Sequence, residues 1–445
     1  MSDALTAAAA AQDIYRCKIC GIESPEPSCF AAIATEGPYR LQGTCITCNQ
    51  PAREQAMWRR VFGFIALVAG PPTYLAATRG VGQIGLIGLV IIAVVIYPLL
   101  VILHELAHAL TARAVGLEVT LVRLGSGPFV WAGKAFSFPV RLYAWPLSGF
   151  THLSGHPAQW VRSRVWLTVL MGPLSNLVLA GAAIVFWNPL SVVIDSNVIL
   201  LWIVYNALMG AGNLWPHRIR VSEQSHSSDG RQLIQIPFQK PGPLADALSL
   251  GAAGAIFVAY KDGDYLGAKA ASIEELEHLP GNPYLLMLLA ASNIDLGNYE
   301  PARAAVEPLL SSTAAHPPQL HAAAQNNLAL ALWFRDFNTP QLEQSLQRAD
   351  ALAADAYRRY PCVLVHRSTR ALLLTATNRS QDALALLDYM NYERASPDDR
   401  SHREIARAFA FSRLGRSTEA EQALAAAFKL RKVRLPYLRT IGLIP

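Results

Sequence analysis

The chain has 445 residues, 52% of them hydrophobic and 16% charged, with a mean hydropathy of +0.24. That balance excludes an ordinary soluble protein; it points to membrane spans within a chain of several domains. The net charge of +6 is not a nucleic-acid signature, because the basic residues flank apolar runs: Arg53, Arg59 and Arg60 before the first, Arg162 and Arg164 before a later one, Arg218 and Arg220 after the last.

The opening stretch MSDALTAAAAAQD has no basic segment followed by an apolar core. It does not read as a secretory signal, so the N-terminus is expected in the cytosol. Residues 1–56 are polar and hold five of the six cysteines: Cys17, Cys20, Cys29, Cys45 and Cys48. CKIC (17–20) and CITC (45–48) form a C-x2-C…C-x2-C frame with 24 residues between. Four thiolates from two such knuckles make a closed tetrahedral zinc site, which lets a short segment fold without a core. A reducing cytosol argues against disulfides, and Cys29 is left as a spare thiol. The segment resembles a zinc ribbon, with a structural metal on Cys17, Cys20, Cys45 and Cys48 and a docking or regulatory role.

Four apolar segments follow: roughly 61–78, Val81 to Leu103, 165–187 and 196–215. A bilayer core takes about 20 apolar helical residues, so the last three qualify. The first is marginal, weakened by Pro71 and Pro72; an interfacial or re-entrant helix is the competing reading. With a cytosolic N-terminus, the second segment runs inward and ends near the cytosolic face, and both termini are cytosolic. We expect a multi-pass protein, of a bacterial inner membrane.

The second segment ends in HELAH, residues 104–108. His104 and His108, four apart on a helix, share a face and can hold one zinc ion. Glu105 is offset by one residue, too far round to be a third ligand but able to reach a water at the metal. Zinc lowers the pKa of that water to about 7 and the carboxylate takes its proton, preparing attack on a carbonyl. Ionisable groups at the end of an apolar helix are costly unless a cation and a polar cavity receive them. A catalytic zinc takes three protein ligands, and His217, Glu223, His226 and Asp229 all lie after the last span. Spacing does not choose among them.

Further motifs carry a resemblance. After HELAH comes LEVTLVRLGSGPFVWAGKAFSFPVRLYAWPLSGF, which alternates as strands do and contains Gly125, Gly127 and Pro128, then Pro146 and Gly149. GPLSN spans 172–176, NLWP spans 213–216 and SDG spans 228–230. In that order these pieces, covering roughly 97–235, resemble the site-2 protease family of intramembrane zinc metallopeptidases: the small β-region, the Gly-Pro-x-x-Asn, and the Asn-x-x-Pro with Asp-Gly. The resemblance implies Asp229 as the third zinc ligand. Sixteen positions separate Asn213 from Asp229, more than in the compact family pattern, so HRIRVSEQSHS must loop out, and His226 and Glu223 stay as alternatives.

Pro173 in a membrane helix removes a backbone bond, and Gly172 permits close approach. Asn176 is then an amide able to donate to a substrate backbone or a developing oxyanion; contact between helices is the other reading for Asn176 and Asn213. The alternating β-region offers a strand edge for an unwound substrate helix, or a simple amphipathic hairpin at the membrane surface.

A polar, loop-like stretch (217–243) closes on a Pro-Gly-Pro break at 241–243. Beyond it the chain is rich in Ala and Leu. LGNYEPARAAV (296–306), TNRSQDALALL (377–387) and LGRSTEAEQAL (414–424) recur, each setting a small residue where two helices would cross, and QNNLALALW (325–333) opens another unit. A recurrence near 34–40 residues is that of tetratricopeptide repeats, and we place four imperfect units between about 282 and 433. Such stacks present a concave surface suited to protein partners.

The expected architecture is mainly α: a ribbon-like domain (1–56), a membrane-embedded zinc metallopeptidase with a small β-region (57–240) and a helical-repeat solenoid (241–445). Its expected activity is hydrolysis of a peptide bond in or near a transmembrane segment of a membrane protein. Glu105 is general base and later proton donor; His104, His108 and Asp229 hold the catalytic zinc. The rival is a non-catalytic zinc-binding membrane scaffold acting through its repeats; an intact Glu105 argues against it.

Overall fold

A computed structural model describes residues 14–444, apart from 18–19, 21, 27–28, 35–40, 46–47, 49–52, 80–84, 136, 155–159, 222–223, 240, 312–316, 389–394 and 431–435. The chain divides into two units, one of Met1–Gln55 with Ala259–Pro445 and one of Ala56–Val258.

At the N-terminal end, β1 (Tyr15–Cys17), β2 (Glu23–Ser24), β3 (Phe30–Ala34) and β4 (Leu41–Cys45) form a sheet in the order β2-β1-β4-β3, with β1 and β4 parallel. Strands this short bury almost no apolar surface. What they bury instead is Cys17, Cys45 and Cys48 beside Ile22.

The second unit opens with α1 (Arg53–Arg79) and α2 (Gly85–Ala114). The chain then forms β5 (Glu118–Ala135) and β6 (Phe138–Ser154), followed by α3 (Val161–Val185), α4 (Trp187–Ser191) and α5 (Ser196–Leu214). Among the described residues, α2, α3 and α5 are long and apolar enough to cross a membrane. They coincide with the last three expected segments, α2 running past Leu103 to Ala114 and so carrying HELAH within the helix. Helix α1 runs unbroken through Pro71 and Pro72. Pro72 has no N–H for the carbonyl of Val68; the buried hydroxyl of Tyr205 on α5 donates to that carbonyl at 3.1 Å instead. A partner from another helix thus supplies what the proline withholds.

Strands β5 and β6 are long and bent. Residues 118–124 pair with 149–154 on one side (Glu118↔Ser154, Leu124↔Gly149) and face Val140–Leu142 on the other. Residues 149–154 therefore form an outer run of this sheet, and it is this run that reaches α2.

The stretch expected as loop is ordered. It holds the hairpin β7 (Arg218–Val221) and β8 (Gln224–Ser227), then α6 (Asp229–Gln235) and a 3-10 turn at Ile236–Phe238. Pro-Gly-Pro does not break the chain but opens α7 (Pro241–Lys261). Proline is tolerated in a first turn because those N–H groups have no helical partner.

Next come α8 (Tyr265–His278), α9 (Pro283–Asp295), α10 (Tyr299–Ser311), α11 (Pro318–Arg335) and α12 (Leu342–Arg359). The array ends with α13 (Leu364–Ala376), α14 (Ser380–Asp388), α15 (Pro397–Arg413), α16 (Ser417–Leu430) and α17 (Tyr437–Thr440). The four expected repeat units correspond to the pairs α9–α10, α11–α12, α13–α14 and α15–α16, each helix packed on the next. Three recurring sequences share one device. Gly297, Asn378 and Gly415 take left-handed backbone between the helices of a pair. Five residues on, Ala302, Ala383 and Ala420 are buried at the crossing.

The N-terminal strands pack on this array. Cys29, Ile22, Ala322, Ala356, Tyr360 and Cys362 share one apolar cluster. Ser24 Oγ donates to the carbonyl of Arg359 at 2.6 Å, across 335 positions of sequence.

Candidate active site

Helix α2 is almost wholly apolar until its last turns, where His104, Glu105 and His108 are 5%, 5% and 7% exposed. Groups this polar are buried only when every one of their atoms has a partner. Helix α3 turns three residues of one face, on successive turns, toward the two histidines: Thr168, Gly172 and Asn176. His108 Nδ1 donates to the Thr168 carbonyl at 2.7 Å. His104 Nδ1 lies 2.7 Å from Asn176 Oδ1.

A chain of amides fixes the second contact. Asn206 on α5 donates its Nδ2 to the Trp202 carbonyl at 2.9 Å, which turns its Oδ1 toward Asn176. Asn176 Nδ2 donates to that oxygen at 3.2 Å, leaving its own Oδ1 to accept from His104. Both imidazoles therefore carry their proton on Nδ1 and a lone pair on Nε2.

Those two Nε2 atoms face each other at 3.2 Å. Asp229 Oδ2 stands 3.1 Å from that of His104 and 3.5 Å from that of His108. Three electron-pair donors converge with no donor hydrogen between them, an arrangement a cation relieves. Two imidazole nitrogens and one carboxylate oxygen are a donor set that zinc takes. Gly172 leaves the room: a Cβ there would sit 2.2 Å from His108 Nε2 and 2.8 Å from His104 Nε2.

Asp229 reaches this point because the intervening residues are pinched off. Ser228 N donates to the His217 carbonyl at 2.9 Å, His217 N to Ser228 Oγ at 3.0 Å, and Ser228 Oγ to the Trp215 carbonyl at 2.8 Å. The β7–β8 hairpin hangs from that neck, so the insertion loops out as its length required. Ser228 also caps α6 through Arg231 N. At Gly230 a Cβ would lie 1.7 Å from the Leu214 carbonyl, so the glycine after Asp229 lets α6 begin against the end of α5. His226 stands in β8, and Glu223 lies outside the described residues.

Glu105 projects to the other side, toward β6. Thr151 Oγ1 donates to Glu105 Oε2 at 2.7 Å. A cleft of about 470 Å3 opens here, lined by His104, Glu105, His108, Asp229, Asn213 and the 147–153 run of β6.

Asn176, expected as a donor toward substrate, is fully buried, its amide engaged by His104 and Asn206. Asn213 is on the cleft wall. Sequence reading missed Thr151 and Asn206. An asparagine inside an apolar span was a usable signal for the latter; nothing in the sequence marked the former.

Cys17, Cys20, Cys45 and Cys48 also come together, each with its sulfur within 4.8 Å of the others. Cys45 N donates to Cys17 Sγ at 3.3 Å and Cys48 N to Cys45 Sγ at 3.4 Å, the backbone support that thiolate ligands need. The bond from Cys45 brings the Cys20 thiol down to about 5.

A family model described as peptidase family M50 matches residues 91–412. A provisionally named zinc metalloprotease of Nostoc sp. is 34% identical over 61 residues, 14% of this chain and 17% of that one. Another, of Helicobacter pylori, is 35% identical over 65 residues, 15% and 19% respectively. The chain thus spans less than a fifth of the length of the curated relatives it matches. Among solved structures, a thermophilic TPR protein of Thermus thermophilus overlaps 44% of this chain and 98% of its own, with a TM-score of 0.35 and 22% identity.

Proposed function

The chain belongs to peptidase family M50, the site-2 protease family its motifs resemble, and on that premise we propose that it is a zinc endopeptidase cutting a peptide bond in or near a membrane-spanning segment of another protein. The observation that carries this reading is the convergence of His104, His108 and Asp229 within 4.8 Å, with Glu105 on the adjoining cleft wall. The three converging residues hold the metal. Bound there, zinc supplies a Lewis acid that polarises the scissile carbonyl and lowers the pKa of water to about 7.

The chain's own groups do the rest. Glu105 takes the proton of the attacking water and returns it to the leaving amine. Thr151 holds that carboxylate in place. Asn176 and Asn206 lock the His104 ring, so its lone pair needs no reorientation. A membrane helix hides its peptide bonds, so the substrate must unwind; the 149–153 part of β6 gives it a strand to add to, and Asn213 a polar contact. Cys17, Cys20, Cys45 and Cys48 take a second, structural zinc. The ribbon and repeats select or regulate substrates, which makes the reaction regulated intramembrane proteolysis.

Topology follows from parity. The ribbon and the repeats pack as one unit, so both lie on one side of the membrane. An even number of crossings must separate them, and three helices qualify by apolarity. Helix α1 supplies the fourth, its proline gap bridged by Tyr205. The flanking arginines support a cytosolic side for both termini, on this reading in a bacterial inner membrane.

The test compares membrane-protein fragments from cells carrying the wild type and Glu105→Gln. Fragments present in the first and missing in the second are expected. Equal cleavage by both would refute the peptidase reading; cleavage by neither, with partner capture retained, would favour a non-catalytic scaffold.

A further inference from the structure

Four ribbon cysteines form the metal-competent cluster, and two of the six cysteines in the chain remain: Cys29 in the ribbon and Cys362 just past α12. They meet. Both are buried, at 0% and 2% exposure, and a side-chain hydrogen bond joins their thiols. Cys29 Sγ also lies 3.6 Å from the Arg359 carbonyl, and Ser24 Oγ packs 3.4 Å from the same sulfur. The pair sits at the point where ribbon and repeats touch, within their shared apolar cluster.

Among the described residues, the cysteine group fit to hold a metal does not include this pair. Two sulfurs with no third His, Cys, Asp or Glu ligand grouped with them among the described residues make a poor zinc site. Two thiols already in contact, held by separate parts of the fold, are instead what a disulfide requires: the bond forms once the sulfurs close to about 2 Å.

We propose that Cys29 and Cys362 are an oxidisable pair that peroxide converts to a disulfide, clamping the ribbon to the repeat domain. The Cys29 thiolate attacks the O–O bond of hydrogen peroxide, giving a sulfenic acid and releasing hydroxide. The Cys362 thiol then attacks the sulfenic sulfur and water leaves. Two thiols lose two electrons and two protons; one peroxide becomes two waters. The hydrogen bond from Cys362 holds the Cys29 thiol below its ordinary value, which suits Cys29 to the first step. Burial admits a small oxidant and excludes bulky ones.

In the reduced protein the contact rests on packing, a few hydrogen bonds and the ribbon's metal-dependent fold. In the oxidised protein it survives loss of that metal. The bond would close a chain loop containing every membrane helix.

Full-length protein in detergent micelles is treated with hydrogen peroxide, digested without reduction and mapped by mass spectrometry, with zinc measured in parallel. The expected result is a linked peptide joining Cys29 and Cys362 in most molecules, reversed by dithiothreitol, with bound zinc retained. Cys362→Ser abolishes it; Cys29→Ser does the same should the first variant lose zinc through misfolding. After chelation, only the oxidised wild type keeps its ribbon protease-resistant. Absence of the 29–362 link, or disulfides first among Cys17, Cys20, Cys45 and Cys48 with zinc released, would overturn the proposal. The link is read without any proteolytic assay, so it stands or falls apart from the peptidase reading.

Discussion

The two donor clusters are built in opposite ways. His104, His108 and Asp229 project from helices already fixed by a packed apolar core, and each histidine is oriented by a partner on α3. Cys17, Cys20, Cys45 and Cys48 sit on strands of five residues or fewer or in the turns beside them, and the sulfurs themselves are most of what is buried. On the proposed reading the fold of the first arranges the donors and a metal would complete a reaction centre, whereas in the second a metal would arrange the fold. The lesson is that equally compact constellations of ligands carry different free-energy roles, which the surrounding core decides.

Chelation should expose that contrast most strongly. Stripping metal from reduced protein is expected to raise proteolytic cleavage within residues 14–50 by an order of magnitude or more, while far-UV dichroism from α2, α3 and α5 stays unchanged. A ribbon that resists protease without metal would erase the distinction.

Gly172→Ala comes next. Its methyl would lie 2.2 Å from His108 Nε2. Elemental analysis should show the site between α2 and α3 emptied and the ribbon's metal retained, with turnover down by more than the about 100-fold of an outer-shell loss. Full occupancy of both sites would show that α3 can yield and that the donors are less rigid than argued.

The smallest effect belongs to Asn206→Ala, two hydrogen bonds away from any ligand nitrogen. Releasing Asn176 frees the His104 ring, and zinc affinity should fall about 10-fold in competition with a chromophoric chelator. An unchanged affinity would mean that the amide chain does not orient the ring.

Much of this was legible in the sequence. HELAH sits on one helix at the end of the apolar run, where an i, i+4 pair has only one geometry available. The four repeat units could be placed because Gly297, Asn378 and Gly415 with their alanines recur locally. Asp229 came from a motif rather than from spacing, since the neck at His217 and Ser228 depends on backbone contacts with no residue signature. The partners of Asn176 were not legible, because its amide is held by Asn206 on another helix. Nor does periodicity reveal that Ser24 meets Arg359, a contact between one strand end and one helix end.

That last contact has a consequence for biosynthesis. The ribbon emerges from the ribosome first, whereas the surface it docks on is translated 335 residues later, a delay on the order of tens of seconds. Until then the proposed membrane helices between must be threaded into the bilayer, and the ribbon's apolar flank stays bare. On the proposed topology, a chain that stalls or inserts with the wrong number of passes never covers that flank, so the junction doubles as a check that assembly is complete.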